Sequence, residues 1–270
     1  MFFPNGLLVA RGMIDWRHWH NEPWLIGGLV LLGWLWAIAA GPWRARLAPG
    51  AEFPRGSAVR FYLGLLSFYV AVGSPLDQVA ERFLFSAHML QHQLLIYPAA
   101  ILCLLGVPSW MIDPLLAPRV VREPLRLITH PIGCGLIFSL VIGAWHAPLL
   151  YDWALRSKPV HVVEHLMFFL AALLYWWPLL SPSRVLPRRS YATQMLYLLG
   201  VLIAMTPLFA YITFTEDILY PTYEYAPRLF AEFSAANDQL LAGVMMKLVG
   251  VFGAMAALAV AFFGWYRENK

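Results

Sequence analysis

The sequence predicts an all-α integral membrane protein, a seven-transmembrane-helix bundle that forms a single membrane domain over residues 1–270. Composition is the first observation that predicts it. Hydrophobic residues make up 60% of the chain and charged residues only 13%, whereas a soluble domain is about half apolar and about a quarter charged. The second is that the apolar residues recur in segments of about 20, the length that a helix needs to cross a bilayer.

The predicted spans are separated by short polar or proline-containing breaks. We place them at about 24–41, 58–74, 83–107, 130–150, 160–180, 192–214 and 239–265. Twelve tryptophans and twelve tyrosines, many of them near span ends, fit the aromatic belts at the two faces of a lipid bilayer. Seven spans and their connections use most of 270 residues, so little chain remains for a soluble domain.

The basic residues predict the orientation of the bundle. Successive connections between spans lie on alternate sides of the membrane. The side of the first connection then carries twelve Arg and Lys residues, the other side carries six, and Lys247 lies within the last span. Because the cytoplasmic face carries the basic excess, we predict a multi-pass protein of the cell (inner) membrane, with its N-terminus outside and its C-terminus cytoplasmic. The net charge of +4 is scattered over short loops and does not indicate nucleic-acid binding.

Five of the eight histidines fall near the outer face of this predicted bundle. His88 and His92 open the third span, His146 closes the fourth, and His161 and His165 open the fifth. Each pair spaced by four residues places both imidazoles on one helix face, one turn apart. Polar, titratable rings are costly near hydrocarbon, so this convergence indicates a metal or cofactor site.

Other polar residues near these histidines are candidates for supporting roles. We expect three carboxylates to orient the histidines by interacting with their rings. They are Asp77, before the third span, Glu164, within the second histidine pair, and Asp238, at the start of the seventh span. Asp238 is also partly explained as a helix cap. Met89 and Lys247 are possible accessory groups, and Lys247 should face the bundle interior and find an acidic or carbonyl partner.

The residues leave the chemistry of the site open. Imidazole binds copper, zinc, iron and nickel, and a methionine thioether adds a preference for Cu(I). A haem held by two histidines leaves the duplicated pair unexplained. A zinc hydrolase fits His161-x-x-Glu164-His165, which matches H-x-x-E-H with the glutamate as general base. Copper binding without catalysis needs only convergent imidazoles and predicts a mild effect of Glu164→Gln; a metal-free scaffold remains a third alternative.

The N-terminal segment contributes two further expectations. Residues 1–10 lack a basic start and a small-residue cleavage site, so we do not expect a signal peptide. His18 and His20 lie among tryptophans, and we interpret them as part of an interfacial anchor rather than as extra copper-binding groups.

Four ordered motifs resemble the CtaG family of cytochrome c oxidase assembly proteins, the multi-span bacterial type. They are residues 86–92 (SAHMLQH), 145–152 (WHAPLLYD), 161–165 (HVVEH) followed by WWP at 176–178, and 237–243 (NDQLLAG). The resemblance covers about residues 60–260, and four motifs in this order are more specific than any one. The last motif departs from the family pattern, in which a second glutamine and often a tryptophan would stand at Leu240 and Lys247.

The resemblance implies a function in maturing haem–copper oxidases rather than catalysis, so we expect the chain not to be an enzyme. It implies that copper is supplied to an oxidase centre or positioned there. Met89, beside His88, makes Cu(I) the expected form of the copper. The partners would be haem–copper oxidase subunits and a periplasmic copper donor.

Overall fold

The computed structural model describes residues 14–17, 19–230 and 232–270, and it contains helices and no strand over these residues. This confirms the predicted all-α fold class. The expectations for residues 1–10 and for His18 lie outside the described residues. The helices are α1 (Pro23–Ala40), α2 (Arg44–Leu47), α3 (Arg55–Gly73), α4 (Pro75–Arg82), α5 (Phe85–Leu105), α6 (Ser109–Leu116), α7 (Arg119–Ile128), α8 (Pro131–Trp145), α9 (Pro148–Arg156), α10 (Lys158–Leu180), α11 (Tyr191–Phe214), α12 (Pro221–Glu224) and α13 (Ala235–Glu268).

Six of these helices, α1, α3, α5, α10, α11 and α13, are long and apolar enough to cross a membrane. Helices α7 and α8 meet this criterion only together, and they bend by 68° at the break between them. The described residues therefore contain six candidate spans, or seven if this pair is one. Helix α8 itself has 15 residues, which is about 22 Å of helix and less than the hydrocarbon thickness.

The predicted fourth span, 130–150, is not one continuous helix, because the chain breaks near its end. Helix α8 ends at Trp145, and α9 begins at Pro148. Proline restricts the preceding residue to extended backbone, and Ala147 has that conformation, with φ −65° and ψ 129°. The chain therefore turns at His146 and does not continue the span to residue 150.

Helix α5 contains a π-helical turn, Leu95–Ala99, directly after its histidine pair. Pro98 lies in this turn and has no N–H to donate, which explains the local departure from α-helical bonding. Helix α3 packs closely beside it. A Cβ at Gly64 would lie 2.7 Å from the Sγ atom of Cys103, so only glycine allows α3 and α5 this approach.

Helix α10 lies at the centre of the bundle, where it packs against α5, α8 and α9. Phe168 is fully buried in the main hydrophobic cluster. The indole of Trp176 donates a hydrogen bond of 2.8 Å to the carbonyl of Ile96, in the π-helical turn. Packing and this bond hold α10 in a fixed rotation against α5, which brings the histidine-bearing faces of the two helices together.

One end of the bundle, which we call the histidine end, is covered by short helices. It contains the first turns of α5 and α10, and α4, α9 and α12 lie over it. The N-terminal segment joins this cover, since the backbone N–H of His20 donates to the carbonyl of Gly73 at 2.8 Å. The histidine side chains of α5 and α10 at this end are thereby removed from solvent.

Candidate metal centre

Four of the five predicted histidines form one buried cluster. In α5, the ring centroids of His88 and His92 lie 4.5 Å apart, and in α10 those of His161 and His165 lie 4.2 Å apart. Across the two helices, His88 lies 5.1 Å from His161 and His92 lies 5.4 Å from His165. None of the four side chains is more than 5% exposed. The spacing of four thus places each pair on the interior face of its helix.

The carboxylate of Glu164 lies among these imidazoles and is fully buried. Its Oε1 atom is 3.7 Å from the Nε2 atom of His92, and its Oε2 atom is 3.7 Å from the Nε2 atom of His88. These distances are too long for hydrogen bonds. They suit ligand atoms around one ion, since an ion about 2 Å from each of two ligands holds them about 3–4 Å apart. Ligand atoms of His88, His92, Glu164 and His165 all lie within 4.8 Å of one another.

The cluster has an unusual number of unpartnered polar atoms. In the described part of the chain, seven of its buried nitrogen and oxygen atoms have no hydrogen-bond partner: Nε2 of His88, His161 and His165, both ring nitrogens of His92, and both carboxylate oxygens of Glu164. Native proteins pair nearly all such atoms, because each unpaired one costs about 1–3 kcal/mol. A bound cation would satisfy the lone pairs that converge here, so the residues fit a metal ion.

A chain of hydrogen bonds sets the tautomer of His88. Its Nδ1 atom is 2.8 Å from the hydroxyl of Tyr151, which is 3.0 Å from the hydroxyl of Tyr223. Tyr223 donates its only proton to the carbonyl of Ala80 at 2.8 Å. Tyr223 therefore has no proton left for Tyr151, so Tyr151 must donate the hydrogen bond between the two hydroxyls. Tyr151 in turn has no proton left for His88, so Nδ1 of His88 donates to the Tyr151 hydroxyl. The Nε2 atom of His88 then presents its lone pair toward Glu164.

The tautomer of His161 is set by a carboxylate. The Nδ1 atom of His161 lies 2.7 Å from Oε1 of Glu81, in α4. Burial alone would raise the pKa of Glu81, but the hydrogen bond from His161 and the charges of His161 and Lys158 outweigh it and lower that pKa to about 2. An ionised carboxylate can only accept, so Nδ1 donates. A histidine binds a metal ion only as the neutral ring, and in that form His161 presents a lone pair at Nε2.

His146, the fifth predicted histidine, lies beside the cluster rather than within the group of four. Its Nδ1 atom donates to the carbonyl of Ile142 at 2.7 Å, and its Nε2 atom lies 3.3 Å from the sulfur of Met89. The ring centroids of His146 and His92 are 6.0 Å apart. His146 and the fully buried Met89 form an adjacent pair of donors, an imidazole and a soft thioether, and His146 is not among the ligand atoms grouped with Glu164.

The predicted supporting carboxylates lie in different places. Asp77 faces the cluster, since a second group of ligand atoms, from Asp77, His161 and His165, lies within 4.8 Å. Asp238 is fully buried and accepts the backbone N–H groups of Phe85 and Ser86, at 2.6 and 3.0 Å. Asp238 thus fixes the first turn of α5 and acts on the histidines only through that helix.

Lys247 contradicts one expectation. It donates a hydrogen bond of 2.8 Å to the hydroxyl of Thr206, in α11, so the predicted acidic or carbonyl partner is wrong. Its side chain is only partly buried, in the middle of α13, where a neighbouring hydroxyl is enough to satisfy the ammonium group.

Comparison with known families covers nearly the whole chain. The model of the cytochrome c oxidase caa3 assembly factor family (Caa3_CtaG) matches residues 34–268. The chain belongs to this family. No curated protein and no solved structure matches the chain.

Membership of the caa3 assembly factor family confirms the resemblance carried by the four sequence motifs. The family is one of assembly factors, which agrees with the expectation that the chain is not an enzyme. All candidate ligands lie within the matched residues, and the apolar helices make this assembly factor a membrane protein.

Sequence reasoning missed several residues of this centre. Glu81 and Lys158 fix one side of it, and Tyr151 and Tyr223 another. A signal existed for Glu81, because it follows Asp77 by four residues and so lies on the same face of α4. Tyr151 lies in the WHAPLLYD motif, whereas nothing in the sequence distinguishes Tyr223 from other loop tyrosines.

Proposed function

We propose that this oxidase assembly factor binds copper, as Cu(I), and delivers it to an immature haem–copper oxidase or holds the oxidase while copper is inserted. The ligand set would be His88, His92, His165 and Glu164, with His161 and the His146–Met89 pair as exchange partners. The observation that carries this proposal is the set of seven unpartnered polar atoms around one fully buried carboxylate.

Charge favours Cu(I) over a divalent ion in this centre. A buried site is least costly when its total charge is zero, because uncompensated charge is strongly disfavoured in a low dielectric. Three neutral imidazoles and the carboxylate of Glu164 carry one negative charge, which a monovalent ion cancels. Zinc would leave one positive charge. The thioether of Met89, 3.3 Å from His146, adds a soft donor nearby.

The delivery step follows from the predicted orientation. The basic residues predict that the histidine end faces outward from the cell (inner) membrane, where a periplasmic copper donor would reach it. The recipient would be a haem–copper oxidase subunit in the same bilayer. More candidate ligands than one ion needs allow ligands to be exchanged one at a time, which suits transfer better than tight storage.

The test is the copper content of the detergent-purified protein after anaerobic loading with Cu(I). The wild type should retain about one copper per chain, and a variant with both His92→Ala and His165→Ala should lose it. His130→Asn is the matched control, since His130 caps α8 at the opposite end of the bundle and asparagine is also a favourable cap. Circular dichroism establishes that each variant is helical.

Three results would contradict the copper proposal. Copper retained by the folded double variant would exclude these histidines as ligands. Zinc held in preference to Cu(I), with a hydrolytic activity that Glu164→Gln abolishes, would favour a membrane zinc hydrolase. No metal in the wild type would favour a metal-free assembly scaffold.

A further inference from the structure

The second group of potential ligands, Asp77, His161 and His165, shares one residue with the proposed copper centre. All three side chains are buried, and their ligand atoms lie within 4.8 Å of one another. The Nε2 atom of His161 is buried and has no hydrogen-bond partner among the described residues. The two groups are therefore neighbouring sites joined by His165, and an ion could pass between them without leaving protein ligands.

A cavity of about 200 Å³ leads to this second group. It lies between α1, α3 and α10, and its lining extends from Trp24, which is 61% exposed, to the buried Asp77, His161 and His165. The volume is enough for about six water molecules. His88, His92 and Glu164 do not line this cavity. Asp77 and His161 thus lie between the surface of the bundle and the deeper centre.

Lys158 places a positive charge at the polar end of this cavity. Its ammonium nitrogen lies 2.9 Å from Oδ2 of Asp77 and 3.2 Å from Oε1 of Glu81, and its side chain is 39% exposed. The Nε2 atom of His20 also lies near Asp77, 3.2 Å from its Oδ2 atom. The lysine thus occupies the place of a cation between two carboxylates, on a flexible stem that can move outward.

We propose that Asp77, His161 and His165 form an access subsite, through which the metal ion reaches the deeper centre, and that Lys158 is its resident counter-cation. The proposal rests on the proposed copper function. An arriving Cu(I) binds Asp77, His161 and His165 as the ammonium group of Lys158 moves outward from Asp77. One monovalent cation thus replaces another beside Asp77, and the local charge is unchanged. His165 then passes the ion inward as His161 and Asp77 are exchanged for His88, His92 and Glu164.

The test is the rate at which the purified full-length protein takes Cu(I) from a coloured Cu(I) chelator complex. Asp77→Asn keeps an acceptor for the Gln91 amide, 2.8 Å away, but removes the charge that attracts the ion. We expect loading about tenfold slower, with the same final content of about one copper. Lys158→Met removes the competing cation, and loading should be about tenfold faster.

Two controls separate this effect from a general change of surface charge. Arg156→Met removes a neighbouring positive charge that pairs only with Asp152 among the described residues, at 3.5 Å, and should leave the loading rate unchanged. Lys158→Arg keeps the cation and should load no faster than the wild type.

The outcomes distinguish this inference from the proposed function. If Asp77→Asn and Lys158→Met both load at the wild-type rate, the access subsite is wrong, although copper binding stands. If Asp77→Asn lowers the final copper content, Asp77 belongs to the deeper centre, and the access subsite is again wrong. A wild type that takes no copper contradicts the proposed function itself.

Discussion

At the scale of single residues, Glu164 is a carboxylate with no access to solvent and, within the described part of the chain, no hydrogen-bond partner. An ionised carboxylate in this state is strongly destabilising unless a cation compensates its charge. Its position between imidazole nitrogens of both helices makes it a candidate ligand, whereas the sequence indicated an orienting function or, in a zinc hydrolase, a general base.

Glu164→Gln should therefore weaken Cu(I) binding at least about 100-fold, because the amide keeps the volume but removes the compensating charge. This is a larger effect than the sequence alone predicted. Competition with a Cu(I) chelator measures the dissociation constant, and Glu123→Gln, an exposed change near the opposite end of the bundle, should leave it unchanged. Wild-type affinity in the Glu164 variant would exclude this carboxylate from the ligand set.

Tyr223→Phe should weaken Cu(I) binding about tenfold and destabilise the protein by about 1 kcal/mol. The change removes the hydroxyl that orders the proton chain through Tyr151 to His88, so the Nε2 lone pair of His88 is no longer enforced. Tyr225→Phe is the matched control, since Tyr225 is 82% exposed. Equal copper affinity in the two variants would show that the proton chain does not act on the metal centre.

Sequence could identify the histidines of this centre but not the groups that set their tautomers. The spacing of four between His88 and His92 fixes a shared helix face whatever the tertiary structure. Tyr223 approaches His88 across 135 residues of sequence. Such a contact depends on how α12 folds over the histidine end, and no local pattern encodes it. In the sequence Lys158 cannot be told from other loop charges, because its partners Asp77 and Glu81 in α4 lie 81 and 77 residues away.

At the scale of elements, Asp238 links two spans by accepting two backbone N–H groups at the start of α5. Asp238→Ala should lower the free energy of unfolding by about 2 kcal/mol, because the buried backbone N–H groups of Phe85 and Ser86 lose their carboxylate acceptor. Thermal unfolding in detergent measures this, with Glu232→Ala in the preceding loop as control. The copper content should stay at about one per chain, and a loss of copper without a loss of stability would place Asp238 in the metal centre.

The long spans were predictable because 20 apolar residues have few alternatives to a membrane helix. The places where spans break were harder. Pro98 could have ended α5, but the helix continues through a π-helical turn, because neighbouring helices and a bond from Trp176 support it. The 68° bend between α7 and α8 likewise depends on packing and not on composition alone.

At the scale of the whole molecule, metal binding and folding should be coupled, since α5 and α10 both contribute ligands to the proposed copper centre. An ion that binds only the native state adds about 2.7 kcal/mol at a free concentration 100 times the dissociation constant. Cu(I) should raise the unfolding midpoint by about 5–10 °C, and a chelator should reverse the shift. The His92→Ala, His165→Ala variant should show no shift; a shift of equal size there would mean that copper binds elsewhere.

In the proposed copper centre, imidazoles from α5 and α10 share one copper ion. X-ray absorption of the Cu(I)-loaded, detergent-purified protein tests it most directly. We expect a coordination shell of nitrogen and oxygen at about 2.0 Å with the multiple-scattering pattern of imidazole, which is lost in the His92→Ala, His165→Ala variant. A shell dominated by sulfur, or an imidazole pattern unchanged in that variant, would contradict it.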